Sequence, residues 1–563
     1  MRSIRSLGAL GTALALALVV AACGSSKSSS TSASGGSSTT PASTGGKGGT
    51  VTLVVGTAPQ SLDPSLDFTT QGAEVHWLTH LGLYTYTHAS GAAGSTVIPA
   101  VASGLPTTTN GGTTYTVKIR PGLKYSDGTA LKASDLIFGI QRALKLGWSA
   151  ASFVTSVVAG AKEYGSGKAS SISGISADDA TGTLTFKLLR PYGAFINVLA
   201  TPGVSFLPPT TPMKGEPANP PAGFGPYMIK NVVPNVSYEI DINPNYAAQA
   251  VPGIPVGKVN VHAKIESNTT TEASDVLHNN ADIFDWGDTI PPALIGQVQS
   301  TASDRYKNWE TGKTFYFFMN VTNKPFSSQL AREAVIKALD YTALQRLGSG
   351  TISPGCYLIP PGMVGHPTAP CPLRDPSTPP DIAGAKKLVQ QSGMAGTAVT
   401  VWAENRQPRL QWTENLAATL NQIGFKASLK TIADANYFTT IETLKNHPQI
   451  GFADWQQDYP NPTDFYQNLI DANAIAPQGN SDYGEVNDPH IQSETKALYP
   501  VPASQLQSVT ARWTALDQYV AQKAYMAVYG YLSTPQFYSN KVNFSAANFS
   551  LLYGTDFSSL TLK

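Results

Sequence analysis

The order of apolar and polar residues between Thr114 and Leu144 predicts a strand, two turns and a helix. At the start of this stretch, apolar and polar residues alternate, and this period is typical of a half-buried strand. Pro121-Gly122 and Asp127-Gly128 are turn signals. The apolar strand positions are Tyr115, Val117 and Ile119.

From Leu131 onward the apolar period changes to that of a helix. We expect Ser134 to cap this helix. The apolar positions are Leu136, Ile137, Ile140 and Leu144, and the positions predicted to face water are Gln141, Arg142 and Lys145. None of these groups suggests catalysis, so the whole stretch is interpreted as structural.

The same two periods recur along most of the chain. A strand, a helix and a strand follow one another between residues 397 and 431, which predicts an α/β unit. The further predicted strands are Val51–Val55, Leu184–Leu189, Tyr238–Ile242, Val259–Ile265, Phe315–Val321, Thr397–Ala403 and Lys426–Thr431, and the predicted helices are Glu74–Leu83, Ala385–Gln391 and Trp412–Ile423.

Composition narrows the possible functions. The 563 residues include 38 basic and 37 acidic side chains, so we expect no nucleic-acid partner. A length of this order is enough for two or three domain cores. The sequence has no internal apolar run long enough to cross a membrane.

The N-terminus predicts export and a lipid anchor. Arg2 and Arg5 precede a short apolar stretch, as in a signal peptide. The stretch ends in Val20-Ala21-Ala22-Cys23-Gly24, which is similar to the bacterial lipobox. This similarity implies cleavage before Cys23 and a diacylglyceryl group on its sulfur, which would hold the protein on the outer face of the cell membrane. The alternative is an ordinary secretory signal in which the cysteine has no role.

The segment after Cys23 is rich in serine, threonine and glycine and has no apolar period. Such a chain cannot bury enough surface to offset its conformational entropy, so we expect a flexible tether. About 26 residues of this kind have a root-mean-square span of about 28 Å. The tether therefore keeps a folded body close to the membrane but clear of the lipid.

Several motifs, in order along the chain, carry a resemblance to a known family. They include Leu62-Asp63-Pro64, Arg120-Pro121-Gly122 followed by Asp127-Gly128-Thr129, Gly225-Pro226-Tyr227, and Asp282 after an apolar helix. Together they resemble the extracytoplasmic solute-binding proteins of family 5, the dipeptide, oligopeptide and nickel receptors of ABC importers. Lys132 stands where that family usually has a capping threonine.

The resemblance implies an α/β, periplasmic-binding-protein-like fold with two lobes, crossing hinge strands and an extra domain. It also implies hinged closure on a solute and docking onto the permease subunits of an ABC transporter, with the receptor acting as a monomer. The predicted parts are a signal peptide at 1–22, a tether at 23–49, lobe I at 50–85, 204–312 and 525–563, domain II at 86–203, and lobe II at 313–524.

The resemblance also suggests where a ligand binds. Peptide-binding relatives have a W-x-x-D motif whose aspartate contacts the ligand ammonium group, and here Asp458 follows Trp455 at that spacing. A carboxylate in a partly dry cleft forms a strong charge-assisted hydrogen bond to ammonium. The structural alternative is that Asp458 caps the turn before the prolines.

Other residues near predicted strand ends complete the candidate site. Arg406 and Arg409 follow a strand at which relatives hold a ligand carboxylate, although either arginine could simply be solvated. Trp402, Trp455 and Tyr459 are candidate cleft walls, with plain core packing as the alternative. Within the receptor class we predict a short peptide as ligand, and a saccharide, a metal chelate or an opine-like compound stays open.

The remaining cysteines, Cys356 and Cys371, enclose a loop rich in proline and glycine. Outside the cytoplasm such a pair is expected to form a disulfide. Metal binding by the pair together with His366 is the alternative. His76 and His80 stand four residues apart, but no third ligand is near in the sequence, so packing is favoured over a metal site.

The sequence has no G-x-S-x-G, H-E-x-x-H or C-x-x-C motif. The segment Gly165–Ala169 does not match a phosphate-binding loop. We therefore expect a binding protein that needs no cofactor and is not an enzyme. The rival from another class is an exported hydrolase acting on peptides or envelope polymers.

Overall fold

The computed structural model of the protein describes residues 48–433, 436–477 and 479–563. The predicted signal peptide, Cys23 and residues 23–47 of the predicted tether lie outside the described residues. Within the described ranges, no helix combines the length and apolar character that crossing a bilayer would require.

Lobe I is built on a five-stranded mixed sheet in the order β11-β1-β10-β9-β8. Strand β1 runs parallel to both of its neighbours, whereas β8, β9 and β10 pair antiparallel. The strands are β1 Gly49–Val55, β8 Tyr227–Val233, β9 Ser237–Ile242, β10 Val259–Ile265 and β11 Ile283–Phe284.

Domain II contains an antiparallel sheet of four strands in the order β4-β5-β7-β6, with a short hairpin of β2 and β3 beside it. Its strands are short and polar on one face, as the alternation of residues 114–118 indicates. They are β2 Tyr84–Tyr86, β3 Val97–Pro99, β4 Thr107–Thr109, β5 Thr114–Lys118, β6 Ile175–Asp178 and β7 Thr183–Lys187.

Lobe II is built on a six-stranded sheet in the order β13-β17-β12-β16-β14-β15. The β14–α11–β15 segment is the predicted α/β unit, and β14 and β15 pair in parallel. The strands are β12 Tyr306–Met319, β13 Ile352–Ser353, β14 Ala398–Asn405, β15 Lys426–Ala433, β16 Ile450–Gln456 and β17 Met526–Phe537. The short strands β18 Phe549–Ser550 and β19 Gly554–Thr555 form a separate pair.

The helices cover the sheets on their apolar sides. In lobe I and domain II they are α1 Thr70–Thr79, α2 Ser134–Leu146, α3 Ser152–Thr155, α4 Ala161–Gly165, α5 Phe195–Val198, α6 Thr269–Leu277 and α7 Pro292–Thr301. In lobe II they are α8 Gln329–Ala338, α9 Tyr341–Leu347, α10 Ile382–Gln391, α11 Arg409–Ile423, α12 Tyr437–Ile441, α13 Pro462–Leu469, α14 Pro489–Leu498 and α15 Thr510–Gln522.

Two large apolar cores confirm the two-lobed α/β architecture. One core joins lobe I and domain II, and the other fills lobe II. Strands β12 and β17 connect the cores. Tyr306 and Phe537 pair with each other and pack in a smaller lobe I cluster, whereas Phe315–Met319 lie in the lobe II core. The register between the two strands shifts between Glu310 and Thr314, where they pass from one core to the other. The exact boundaries of the three parts stay a prediction.

The predicted strand and helix of the 114–144 stretch are present as β5 and α2, with two corrections. Ser134 is the first helical residue and does not cap the helix; its hydroxyl and backbone N–H both donate to Asp179. Arg142 is completely buried and does not face water. It donates two 2.7 Å hydrogen bonds to the carboxylate of Asp63, in the loop after β1.

Residues 538–563, which follow lobe II in the chain, pack against lobe I. The Ser539 hydroxyl donates to Asp282, and the backbone N–H of Thr555 donates to Glu74. Each bond joins residues that are more than 250 positions apart in sequence, and both bonds are buried. Lobe I is therefore assembled from both ends of the folded body.

Cys356 and Cys371 are joined by a disulfide in the structure. His366, the third member of the metal alternative, hydrogen-bonds through Nδ1 to the backbone carbonyl of Ile359. Across the described ranges, no three His, Cys, Asp or Glu side chains are arranged to hold a metal ion.

Candidate functional site

The loop between β16 and α13 presents Asp458. Helix α13 begins after Asn461, whose side chain accepts the backbone N–H of Thr463 and so caps the helix. Asp464, in the first turn, is fully buried and accepts the backbone N–H of Asp458 at 2.7 Å. Asn461 provides the cap of helix α13, and Asp458 lines a cavity wall.

The main cavity, of about 1080 Å³, lies between domain II and lobe II. One wall comes from residues 149–156 and 190–192, and the other from residues 455–500. Phe68, from the loop after β1, also contributes. The polar lining residues with amide side chains are Gln467, Asn468, Asn473 and Gln492.

The two walls touch at one edge of the main cavity. The hydroxyl groups of Tyr192 and Tyr459 are 2.6 Å apart, and the backbone N–H of Gly193 donates to the carbonyl of Tyr499 at 2.8 Å. A Cβ atom on Gly193 would lie 1.8 Å from the carbonyl oxygen of Val501, so only glycine allows this approach.

The main cavity carries groups of both charges. Its acidic side chains are Asp458 and Asp471, and its basic side chains, Arg190 and Lys496, are exposed. Asp471 accepts hydrogen bonds from the backbone and side-chain nitrogens of Asn473 and so stabilises its own turn. In the part of the chain that the structure describes, no lysine, arginine or histidine forms an ion pair with Asp458.

The electrostatic surroundings of Asp458 disfavour its charged form. Burial raises the pKa of Asp458 to about 7, and a hydrogen bond from the Asp464 carboxyl only partly offsets this. Burial, followed by repulsion from Asp458, raises the pKa of Asp464 well above its ordinary value. The pair therefore holds at least one proton at neutral pH, and a cation in the cavity would favour ionised Asp458.

A second, smaller cavity of about 230 Å³ adjoins the first, and we call it the side pocket. Phe68 and Asp458 line both cavities, so they mark the junction between them. The side pocket lies among the first turns of α1, the 201–203 turn and the segment 552–553. It is mainly apolar.

Two of the sequence-predicted aromatic residues lie close to Asp458, Trp455 near the end of β16 and Tyr459 in the loop that follows it. Trp455 lines the main cavity. Tyr459 is buried behind the wall, where its hydroxyl contacts Tyr192 and accepts a hydrogen bond from Gln467. Tyr459 therefore supports the wall without lining the cavity.

The other predicted residues lie away from both cavities. Trp402 is buried in the lobe II core, with the ammonium group of Lys430 3.6 Å from its ring centroid. Arg409 is paired with Glu404 at 2.8 Å and Asp454 at 3.0 Å. Arg406 is exposed. The expectation that an arginine after β14 meets a ligand carboxylate finds no geometric support, because the guanidinium of Arg409 is already occupied.

His76 lies on α1, His80 is the residue that caps the C-terminal end of this helix, and both are buried. The ring of His80 contacts the Thr79 hydroxyl and the carbonyl of Pro221. The two rings pack edge to face with centroids 5.4 Å apart. This arrangement fits the packing interpretation, but His76 also lines the side pocket.

Sequence reasoning missed several residues of the two cavities. Phe68, Arg190, Tyr192 and Lys496 come from segments up to about 430 residues apart, and no local pattern connects them. A signal did exist for the side pocket. Thr70, Ala73 and His76 recur every three residues on one face of α1, and this face lines the pocket.

Comparison with known proteins gives a family match. The model of the bacterial extracellular solute-binding proteins, family 5 (middle), matches residues 96–476. The matched range contains most of domain II, the 204–312 part of lobe I, most of lobe II and Asp458.

Curated relatives include the glutathione-binding protein GsiB. The protein from Shigella flexneri is 29% identical over 343 residues, which cover 58% of this chain and 60% of GsiB. GsiB from Escherichia coli strain K12 is 28% identical over the same length. The chain thus matches less than two thirds of the length of these relatives.

Solved structures share the fold along almost the whole chain. The clavulanic acid biosynthesis oligopeptide binding protein 2 superposes with a TM-score of 0.78 at 20% identity, covering 92% of this chain and 96% of that one. The periplasmic murein tripeptide binding protein MppA, in its unliganded open form, gives 0.73 at 17% identity, covering 91% and 97%. At these identities the similarity establishes the two-lobed fold.

Proposed function

Because this chain belongs to family 5 of the bacterial extracellular solute-binding proteins, we propose that it binds a short peptide between its lobes and delivers it to the permease of an ABC importer. Asp458 receives the peptide ammonium group. The receptor is tethered to the outer face of the cell membrane through a lipid on Cys23. It carries out no chemical step on its ligand.

One observation carries the proposal: Asp458 lines the main cavity and no cationic side chain faces it as a partner within the described residues. A buried carboxylate is costly unless it is paired or protonated. A peptide ammonium group would supply the missing charge and form a charge-assisted hydrogen bond. A ligand amine therefore gains more binding free energy from contact with Asp458 than from contact with a carboxylate that is already paired with a cation.

The main cavity also suits a peptide backbone. A peptide brings N–H and C=O groups that need hydrogen-bond partners when they leave water. Amide side chains can both donate and accept, and four of them line this cavity. Arg190 and Lys496, exposed in the same cavity, are candidates for the peptide carboxylate in place of Arg406 and Arg409. The names of GsiB and MppA, a glutathione-binding and a murein-tripeptide-binding protein, support a small peptide as ligand.

Closure follows from the position of the cavity between two walls. A ligand that contacts both walls stabilises the closed arrangement only by its differential affinity for it. Strands β12 and β17 join the lobes, so a change in their bend would separate the walls, which touch at Tyr192 and Tyr459 in this structure, and would open the cavity to a ligand. Small-angle scattering with and without ligand measures closure on the ligand as a decrease in the radius of gyration.

Calorimetry with matched ligands and variants tests the proposal. We compare tri-alanine with N-acetyl-tri-alanine, which lacks the ammonium group, and include glutathione as a second amine. Acetylation and Asp458→Asn should each weaken binding about 30- to 100-fold, as expected for a buried charge-assisted bond. The two changes together should cost little more than either alone, because both remove the same contact.

Arg406→Gln is the control variant, since Arg406 is exposed and lies outside both cavities. Its affinity for tri-alanine should match that of the wild-type protein. Equal binding of the free and acetylated peptides by the wild-type protein would remove Asp458 from its role. Native mass spectrometry of the purified protein then separates a peptide from a saccharide, a metal chelate or an opine-like compound by the mass that it carries.

The lipid anchor has its own test. Labelling of cells with a palmitate analogue should mark the wild-type protein but not Cys23→Ser, which should appear in the soluble fraction. A labelled Cys23→Ser protein would contradict the anchor and leave peptide binding unaffected.

A further inference from the structure

The contact between the two walls at one edge of the main cavity is made by groups of the chain itself. Two successive residues of domain II, Tyr192 and Gly193, lie between β7 and α5 and reach lobe II. Their partners are Tyr459, in the loop after β16, and the segment 499–503, between α14 and α15. We call this set of residues the latch.

Gly193 directs both of its backbone polar groups to lobe II. Its N–H donates to the carbonyl of Tyr499 at 2.8 Å, and its carbonyl accepts the N–H of Ala503 at 3.0 Å. Gly193 is buried, and buried backbone groups are almost always paired. The two bonds exist only while domain II and lobe II touch, and water has to replace them when the walls separate.

The second part of the latch is the buried pair of hydroxyl groups on Tyr192 and Tyr459, which are 2.6 Å apart. Burial raises the pKa of both phenols, that of Tyr192 to about 12, so both are neutral near pH 7 and one donates to the other. Each residue is also held within its own wall. The Tyr115 hydroxyl donates to the carbonyl of Tyr192 at 2.9 Å, and Gln467 donates to the Tyr459 hydroxyl at 3.1 Å. Closing the latch therefore orders few additional groups.

Only glycine fits at position 193 while the walls touch. A Cβ atom there would lie 1.8 Å from the carbonyl oxygen of Val501 and 2.9 Å from that of Tyr499. Both oxygens belong to the backbone, so rotation of a side chain does not relieve the overlap, whereas separation of the walls does. Gly104, also in domain II, offers a matched contrast, because a Cβ atom at Gly104 would meet nothing within 4 Å.

The closed latch leaves space for a ligand. The main cavity has a volume of about 1080 Å³ in the structure in which the latch is formed, and Tyr192 and Tyr499 belong to its lining. The latch and a ligand that contacts both walls therefore stabilise the same arrangement of the lobes. One hydrogen bond favours the bonded state by about 2- to 10-fold, so the three bonds of the latch together favour closure by about tenfold or more.

We propose that the latch gives the closed arrangement a stability of its own, so that a large share of the protein is closed before any ligand binds. A ligand that contacts both walls enters while they are apart, and it leaves when they separate again. The latch thus slows both entry and release. This inference goes beyond the proposed function, because it does not depend on which solute the main cavity takes.

Small-angle scattering of the ligand-free protein tests the latch directly. The protein is unfolded in denaturant with its disulfide intact and refolded, which removes any ligand that was purified with it. Gly193→Ala should have a larger radius of gyration than the wild-type protein, because the new methyl group excludes the closed contact. Gly104→Ala, the matched control, should have the radius of the wild-type protein. Tyr192→Phe, which removes one hydroxyl without adding an atom, should lie between wild type and Gly193→Ala.

Stopped-flow kinetics with tri-alanine provides a second readout. In Gly193→Ala the association and dissociation rate constants should both rise by about tenfold or more, and the affinity should change by less than either rate constant. Tyr192→Phe should raise both rate constants by about 2- to 10-fold. Damage to the fold would lower the association rate constant, so a rise in that constant distinguishes a lost latch from a damaged protein.

The outcomes keep this inference separate from the proposed function. Equal radii of gyration for the wild-type protein and Gly193→Ala would overturn the latch, and so would association rate constants that do not rise in either variant. If tri-alanine does not bind, the proposed function fails and the scattering of the ligand-free proteins still decides on the latch. If thermal unfolding shows that Gly193→Ala does not fold, an unchanged radius in Tyr192→Phe overturns the latch and an increased one supports it.

Discussion

Two aspartates of this protein, the buried Asp63 and the half-buried Asp458, lie in opposite surroundings. Asp63 receives two hydrogen bonds from Arg142 and further ones from the backbone N–H groups of Ser65 and Glu216. Although burial alone would raise its pKa, these bonds lower the pKa of Asp63 below its ordinary value. Asp458 has a second carboxyl group, Asp464, as its neighbour, and its pKa is raised.

The two aspartates differ in whether the chain itself supplies a cationic partner for the carboxylate. Asp63 joins the loop after β1 to α2, and its charge is balanced within the chain. Asp458 has no ion-pair partner among the described residues, and its raised pKa favours the protonated form. Since both residues are aspartates after apolar segments, only the partner tells them apart.

Removing the partner of Asp63 should have the largest effect. Arg142→Met leaves a buried carboxylate without its cation, and we expect a loss of about 3–5 kcal/mol in the free energy of unfolding. Denaturant titration measures this loss. Asp63→Asn together with Arg142→Met should recover part of it, because the orphan charge is gone. A double variant no more stable than Arg142→Met would show that the pair is not the cause.

Acid should weaken ligand binding through Asp458. Below a pKa of about 7 the ligand-free carboxyl group takes up a proton that the ammonium ligand must displace. Affinity for tri-alanine should fall about fivefold between pH 7 and pH 6 and about tenfold more between pH 6 and pH 5, or about 50-fold in all. Calorimetry across this range measures the slope. The Asp458→Asn variant should bind weakly and with no such slope, and a parallel slope in the variant would assign the titration to another group.

Asp458→Asn should stabilise the ligand-free protein, the opposite of a change at Asp63. A carboxyl group with a raised pKa makes the folded state bind more protons than the unfolded state, so stability falls as pH rises from about 4 to about 7. The amide of the variant does not titrate, so the stability of the variant does not fall in this pH range. Its melting temperature should equal that of the wild-type protein near pH 4 and correspond to about 1 kcal/mol more stability at pH 8, after allowance for solvent screening. A less stable variant at pH 8 would indicate a hidden partner.

The smallest effect is expected from Asp464→Asn. The raised pKa of Asp464 keeps it protonated, so an amide replaces a neutral carboxylic acid. The pH midpoint of tri-alanine binding should shift by less than about half a unit. A large downward shift would show that Asp464 carries the negative charge in place of Asp458.

Much of the fold could be predicted, because the spacing of apolar residues in a strand or helix is visible within a short stretch of sequence. Strand β10 has the predicted bounds, and β5, β9 and β15 differ from prediction by a residue or two. The failure at Arg142 has a clear cause. A helical pattern predicts that a charged residue faces solvent. The partner that permits burial of Arg142 is Asp63, which is 79 residues away in sequence and therefore does not affect the local pattern.

The site could be predicted only in part. Trp455 and Asp458 were reached through a family motif, and both line the main cavity. Arg409 follows the end of β14, but Glu404 and Asp454 occupy its guanidinium. The wall from domain II depends on segments that converge only in three dimensions.

The path of the chain has a consequence for its biogenesis. Lobe I is completed by residues 538–563, through bonds such as Ser539 to Asp282 and Thr555 to Glu74. Until the ribosome has synthesised these residues, lobe I lacks part of its core while lobe II can already fold. A nascent chain halted before residue 538 should therefore remain sensitive to protease within residues 48–312.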